Sequence, residues 1–141
     1  LRPLQMIVEK IKSKGAEISV LEGTDRLQYL IDIANEVTEL DNQYKIQDNR
    51  IVGCASNLWV VGSKQSNDTM LYKFDADAFI TKGTAKLVID LLNNEQVIEI
   101  SKLTKDDFKN LGILELLTAQ RQSGLSNLID TLISIAKKNL V

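Results

Sequence analysis

Leu58-Trp59-Val60-Val61-Gly62-Ser63-Lys64-Gln65-Ser66-Asn67-Asp68-Thr69-Met70-Leu71-Tyr72-Lys73-Phe74 reads as two β-strands joined by a polar turn. Leu58, Trp59, Val60 and Val61 form a short apolar run closed by Gly62, the pattern of a buried strand. Ser63 to Asp68 is polar and rich in turn formers. Met70, Tyr72 and Phe74 then alternate with Leu71 and Lys73, a period of two that sends neighbouring side chains to opposite faces. A β-hairpin follows. Ile51 and Val52, or residues slightly upstream, supply a candidate third strand.

Helical spacing surrounds this hairpin. Upstream, Leu4, Ile7, Val8 and Ile11 after Pro3 predict a short amphipathic helix ending near Gly15. Leu27, Leu30, Ile31, Ala34 and Val37 predict a second, opened by Thr24 and Asp25. Residues 40–49 lose the pattern among Asp, Asn and Gln and read as a loop. Downstream, Phe79, Ile80, Gly83, Thr84, Leu87, Val88, Leu91 and Leu92 make a wide apolar stripe, which Asp75 or Asp77 would cap. Gly83 costs that helix propensity, which implies close packing on the sheet or on the loop carrying Cys54.

Residues 95–101 fit either a short helix or an edge strand. Thr104-Lys105-Asp106-Asp107 has the form of a capping box before a short helix stopped by Gly112. Thr118 to Gly124 reads as a polar loop. Leu125, Leu128, Ile129, Leu132, Ile133 and Ala136 then share one face of a last helix. The expected architecture is α+β: a small antiparallel sheet of about three strands covered by helices, in a single domain over residues 1–141.

A chain of 141 residues can bury a sizeable core without disulfides or metals. Its net charge is −2, with acidic and basic residues interspersed and no basic stripe, so no nucleic-acid partner is expected. No apolar run reaches bilayer length and no secretory leader is evident, so no membrane partner is expected either. The chain begins at Leu1 rather than Met, which fits an N-terminal piece removed or left out. One cysteine and no histidine exclude Cys/His zinc sites and the Ser-His-Asp and Cys-His mechanisms. An iron–sulfur cluster normally takes about four thiolates, more than this chain has. A lone cysteine suits a reducing compartment.

That cysteine, Cys54, sits in Arg50-Ile51-Val52-Gly53-Cys54-Ala55-Ser56-Asn57, directly before the first strand, with Gly53 allowing a sharp turn or close approach beside it. A solitary cysteine is by itself most often an inert core residue. The surrounding residues change that weighing. Gly53-Cys54-Ala55-Ser56-Asn57-Leu58-Trp59 resembles the Gly-Cys-x-Ser-x-x-Trp segment of the SufE family of sulfur acceptors. Asp75-Ala76-Asp77-Ala78-Phe79-Ile80-Thr81-Lys82-Gly83 is similar to its Asp-x-Asp-x-x-Ile-x-x-Gly helix start. Leu116-Leu117-Thr118-Ala119-Gln120-Arg121-Gln122-Ser123-Gly124-Leu125 resembles its Leu-Ser-x-x-Arg-x-Asn-Gly-Leu loop before the last helix, and Arg26 to Ile31 its first core helix. Thr118-Ala119 stands where the family usually has Ser-Pro, and Ser123 where it usually has Asn. The motifs occur in order over roughly residues 24–138.

The resemblance implies a SufE/IscU-like fold and a chain that accepts persulfide sulfur on Cys54 from a cysteine desulfurase of the SufS or CsdA kind. It would stimulate that enzyme and pass the sulfur to a SufB-like iron–sulfur assembly scaffold. No cofactor is implied on this chain; pyridoxal phosphate is expected on the desulfurase. The implied compartment is the cytoplasm, or an organelle if a transit peptide has been removed. Whether such a chain counts as an enzyme is left open. The alternative is a docking or regulatory module for a desulfurase that carries no sulfur. An IscU-like cluster scaffold is weakened by the lack of further thiols.

A free cysteine has a pKa of about 8.5, so neighbours must favour the thiolate. Arg50, Arg121, a helix N-terminus or groups from the partner are the candidates. Arg50 and Arg121 also have a plain reading, as solvated residues or partners of Asp75 and Asp77. Asp75 and Asp77 read more readily as helix caps than as acid–base groups. Ser56 reads as a brace bonding loop backbone, and Trp59 as core.

Overall fold

The computed structural model describes residues 3–54 and 56–140. The elements are α1 (Pro3–Ser19), α2 (Thr24–Ala34), β1 (Leu58–Lys64), β2 (Met70–Ala76), α3 (Phe79–Leu92), α4 (Val97–Ser101) and α5 (Ala119–Lys138). Short 3-10 turns lie at Asn42–Tyr44, Gln47–Asn49, Lys105–Leu111 and Leu114–Leu116. Ala55 and the side chain of Leu4 lie outside the described residues.

The alternation read in the sequence builds the hairpin. β1 and β2 pair antiparallel from Leu58 opposite Ala76 to Lys64 opposite Met70. Leu58, Val60, Met70, Tyr72 and Phe74 are buried and belong to the one core cluster, to which α1–α5 also contribute. The Tyr72 hydroxyl donates to the Leu132 carbonyl at 2.7 Å, tying β2 to α5 through a buried bond. Burial pushes that phenol well above its ordinary pKa.

The α+β class holds, but the sheet has two strands rather than three. The candidate third strand is reduced to a single bridge, Arg50 opposite Trp59, with the Ile51 amide donating to the Leu58 carbonyl at 2.8 Å. Gly53 then turns the chain away at φ 79°, so pairing cannot propagate. The outer edge of β2 is covered differently. Asn94 N donates to Met70 O, Met70 N to Glu95 O, and Tyr72 N to the Asn93 side-chain oxygen at 2.7 Å. The 95–101 ambiguity resolves as helix α4, entered from that cover.

Several boundaries differ from expectation. α1 runs through Gly15 to Ser19; that glycine is a contact point, since a Cβ there would overlap the Asn110 carbonyl. α2 stops at Ala34, leaving Val37 beyond it, half-buried. Gly83 packs on α2, not on the sheet or the Cys54 loop: a Cβ would overlap the Leu30 carbonyl, 2.6 Å from its carbon. β1 continues past Gly62 to Lys64. The residues read as a polar loop at 118–124 are largely the first turns of α5, whose N-cap Thr118 accepts from Arg121 N. Their apolar period is missing because this turn presents Gly124 to the cysteine loop. The capping box at Thr104 forms as read, with Asp107 accepting from Thr104 N at 2.8 Å, and Gly112 ends the turn at φ 65°.

Neither Asp75 nor Asp77 caps α3, whose N-cap position is Ala78 without a side-chain bond. Asp75 is only 4% exposed and binds Lys45 at 3.0 Å and Lys82 at 3.2 Å, while accepting from Leu40 N. It joins the 40–49 loop, β2 and α3. Among the described residues, no helix is long and apolar enough to cross a membrane.

Candidate functional site

The loop bearing Cys54 begins and ends at one hydrogen bond, Ile51 N to Leu58 O. Between those points it is held on three sides. Towards β2, Asn57 donates from its backbone and side-chain nitrogens to the two Asp77 carboxylate oxygens at 2.9 and 2.8 Å, and Arg50 Nε donates to Asn57 Oδ1 at 2.7 Å. Towards α3, Ser56 Oγ donates to Thr81 Oγ1 at 2.8 Å. Towards α5, Asn127 Nδ2 donates to the Val52 carbonyl at 2.6 Å. The left-handed Gly53 faces the same Asn127 amide, where a Cβ would come within 2.6 Å of Nδ2.

Cys54 is buried, 8% exposed as a residue, with its thiol set against α5. Its approach to α5 is possible because residue 124 is glycine: a Cβ there would stand 3.0 Å from Cys54 Sγ and 3.3 Å from its Cβ. Sγ lies 4.0 Å from Ser56 Oγ. Beside it is a cavity of about 20 Å³ whose lining includes Leu58, Ala85, Leu117, Leu125, Leu128 and Arg121. That is the room of about one water-sized atom, in a mainly apolar wall. Outside, Val52 is 73% and Phe79 59% exposed, so the loop and the start of α3 present apolar side chains to solvent. The geometry leaves the thiol a small, mainly apolar space on its α5 side.

The sequence-singled residues divide accordingly. Cys54 and Arg121 line the cavity, and Ser56 lies against the thiol. Arg50 and Asp77 are in the same loop assembly but meet through Asn57, away from the thiol. Ser56 braces the loop as expected, through the Thr81 hydroxyl rather than through backbone. Asp75 is not at the site; burial raises its pKa, yet Lys45, the Ala76 amide and Lys82 outweigh this and hold the carboxyl below the ordinary range. Trp59 is half-buried rather than core, with the Lys45 ammonium 5.6 Å from its ring centroid. Asn57, Thr81 and Asn127 were not legible as loop partners. Gly124 did carry a signal: a glycine so close to the apolar stripe of the last helix costs propensity and needs a reason.

Known proteins share this arrangement of elements. A solution structure of a Thermus thermophilus protein matches with a TM-score of 0.72 at 21% identity, covering 98% of this chain and 96% of that one, which shows a common fold. SufE-like protein 1 of Arabidopsis thaliana, chloroplastic/mitochondrial, is 32% identical over 127 residues, covering 86% of this chain but 34% of that protein. The chain thus spans about a third of the plant relative's length. A SufE-like protein of Rhizobium etli is 29% identical over 117 residues, covering 80% of this chain and 79% of that one. The SufE model, an Fe–S metabolism associated domain, matches residues 12–136, and the chain belongs to the SufE family.

Proposed function

We propose that this protein carries sulfur for iron–sulfur metabolism on Cys54, taking it from a cysteine desulfurase and delivering it to a cluster assembly scaffold. The observation that supports this most is the thiol sheltered against Gly124 beside a cavity of about 20 Å³. An inert core cysteine needs no spare room at its sulfur. A persulfide needs space for one added atom and protection from water and small thiols.

The transfer is a thiol–disulfide type exchange. The Cys54 thiolate attacks the outer sulfur of the donor's cysteine persulfide. A new S–S bond forms at Cys54 while the donor's S–S bond breaks, and its electron pair leaves with the donor thiolate. The persulfide oxidation level passes from donor to acceptor, so no external oxidant or reductant is consumed. Arg121, among the residues lining the cavity, is the cation that would favour the anionic sulfur in this reading. Pyridoxal phosphate chemistry in this reading belongs to the desulfurase.

Intact mass after incubation with a cysteine desulfurase, pyridoxal phosphate and cysteine tests the reading. A reductant-labile gain of one or more sulfur atoms, absent in Cys54→Ser, is expected. No gain with a desulfurase that demonstrably binds would refute carriage and leave a docking module.

A further inference from the structure

We propose that Asn127 is the latch that keeps the Cys54 loop shut, a positioning residue that sets how often the thiol is presented. This rests on the reading of Cys54 as the working residue and adds a control point on the neighbouring helix. Among the described residues, three side-chain anchors tie the loop to neighbouring segments between its ends, and they differ in kind. The Asn57–Asp77 contact lies at the loop's exit into β1 and is doubled by two bonds to one carboxylate. Ser56–Thr81 joins two hydroxyls beneath the thiol. Beyond the Ile51–Leu58 bond, Asn127 grips the entering limb through one 2.6 Å bond from a half-buried side chain to the Val52 carbonyl.

Val52 and Gly53 are the residues that must swing if Cys54 is to leave its cavity. Val52 is exposed, so no apolar burial holds it. Gly53 has the backbone freedom to change φ from its left-handed value. The Asn127 amide also fills the space where a side chain at position 53 would sit. It therefore meets the limb at two neighbouring residues, bonding Val52 and lying against Gly53. Asn127 sits three residues beyond Gly124 on α5, so the helix that makes room for the thiol also carries the group that closes the loop over it.

The donor hydrogen, not the shape, is the active feature, and three variants separate the two. Asn127→Asp keeps the shape but turns a carboxylate towards the Val52 carbonyl. Asn127→Gln keeps an amide donor on a longer stem. Asn127→Ala removes both. The rate of Cys54 alkylation by iodoacetamide reads loop opening, with hydrogen exchange of the 52–57 amides against those of β2 as a second readout. One net hydrogen bond corresponds to roughly a two- to tenfold change in opening. The expected order is fastest for Asp, at about fivefold or more over the native protein, then Ala, with Gln within about twofold of native. Exchange should rise in the loop and not in β2.

A native rate for Asp, or a rate for Gln as high as for Asp, would overturn the latch. So would exchange rising equally in β2, since that is general destabilisation. No sulfur is transferred in this assay. A failed latch therefore leaves the persulfide test standing, and a failed persulfide test leaves the latch measurable.

Discussion

Gly124→Ala places a methyl group against the thiol, and the structure fixes what each side of that contact can yield. Gly124 is inside α5, where alanine is favoured over glycine by about 1 kcal/mol. The added Cβ would sit 3.0 Å from Cys54 Sγ, 3.3 Å from its Cβ and 3.4 Å from its Cα. Carbon contacts are most favourable at about 3.5–4.0 Å, so one side must give by a few tenths of an ångström. α5 is fixed by seven buried positions and by the Tyr72 bond to Leu132. The loop is fixed by a handful of hydrogen bonds, each worth about 1 kcal/mol net. The loop gives way. Global stability should stay within about 1 kcal/mol of native, the helix gain offsetting a loosened loop bond. Opening should increase about fivefold, the equivalent of one such bond. Thermal unfolding by circular dichroism and the iodoacetamide rate at Cys54 measure the two quantities on the same sample. A stabilised protein with an unchanged alkylation rate would refute the reasoning, because it would mean that the thiol already has room for the methyl. A large loss of stability with no faster alkylation would refute it as well, placing the rigidity in the loop rather than in the helix.

Two further substitutions test the frame. Gly83→Ala should destabilise by about 3 kcal/mol, because its Cβ meets Leu30 backbone rather than a flexible side chain and α2 and α3 must part; urea unfolding checks this, and a stable variant would show that the helices can slide. Asp75→Asn should cost roughly 2–4 kcal/mol by leaving Lys45 and Lys82 without their carboxylate, somewhat below the fully buried case since both ammonium groups reach solvent. The same residue shapes acid stability. Its folded pKa is depressed, so its contribution is complete above the unfolded value of about 3.9 and is lost as pH falls through the lower folded value. The native protein should therefore lose stability more steeply than Asp75→Asn between about pH 5 and pH 2, and parallel curves would remove Asp75 from that role.

What could be read in the sequence was local. The hairpin was legible because Met70, Tyr72 and Phe74 alternate, and the capping box because Thr104 and Asp107 are three residues apart. Gly15 and Gly83 were visible as exceptions to helix propensity, but their reasons, the carbonyls of Asn110 and Leu30, come from segments far away in the chain. The same holds at the site. Cys54 and its glycine were legible from the motif, and Arg121 and Gly124 lay in a quoted segment. That segment read as loop because its polar residues hide a helix turn whose buried side needs no large side chain. Asp75 and Asp77 looked like caps since both precede a helix; only the fold shows that one neutralises two lysines and the other grips Asn57. Asn127 had no signature at all, being one more polar residue on an amphipathic helix.

The single pinch between Ile51 and Leu58 has a metric consequence. Six residues lie between them, and Cys54 is the third. An extended chain covers at most about 3.3–3.6 Å per residue, so with the pinch intact the cysteine backbone travels no further than roughly 10 Å from it. A donor sulfur recessed deeper than about that distance plus one side chain is out of range, unless the donor brings it outward or the pinch itself parts. The length of one short limb thus sets the depth of the socket this thiol can serve.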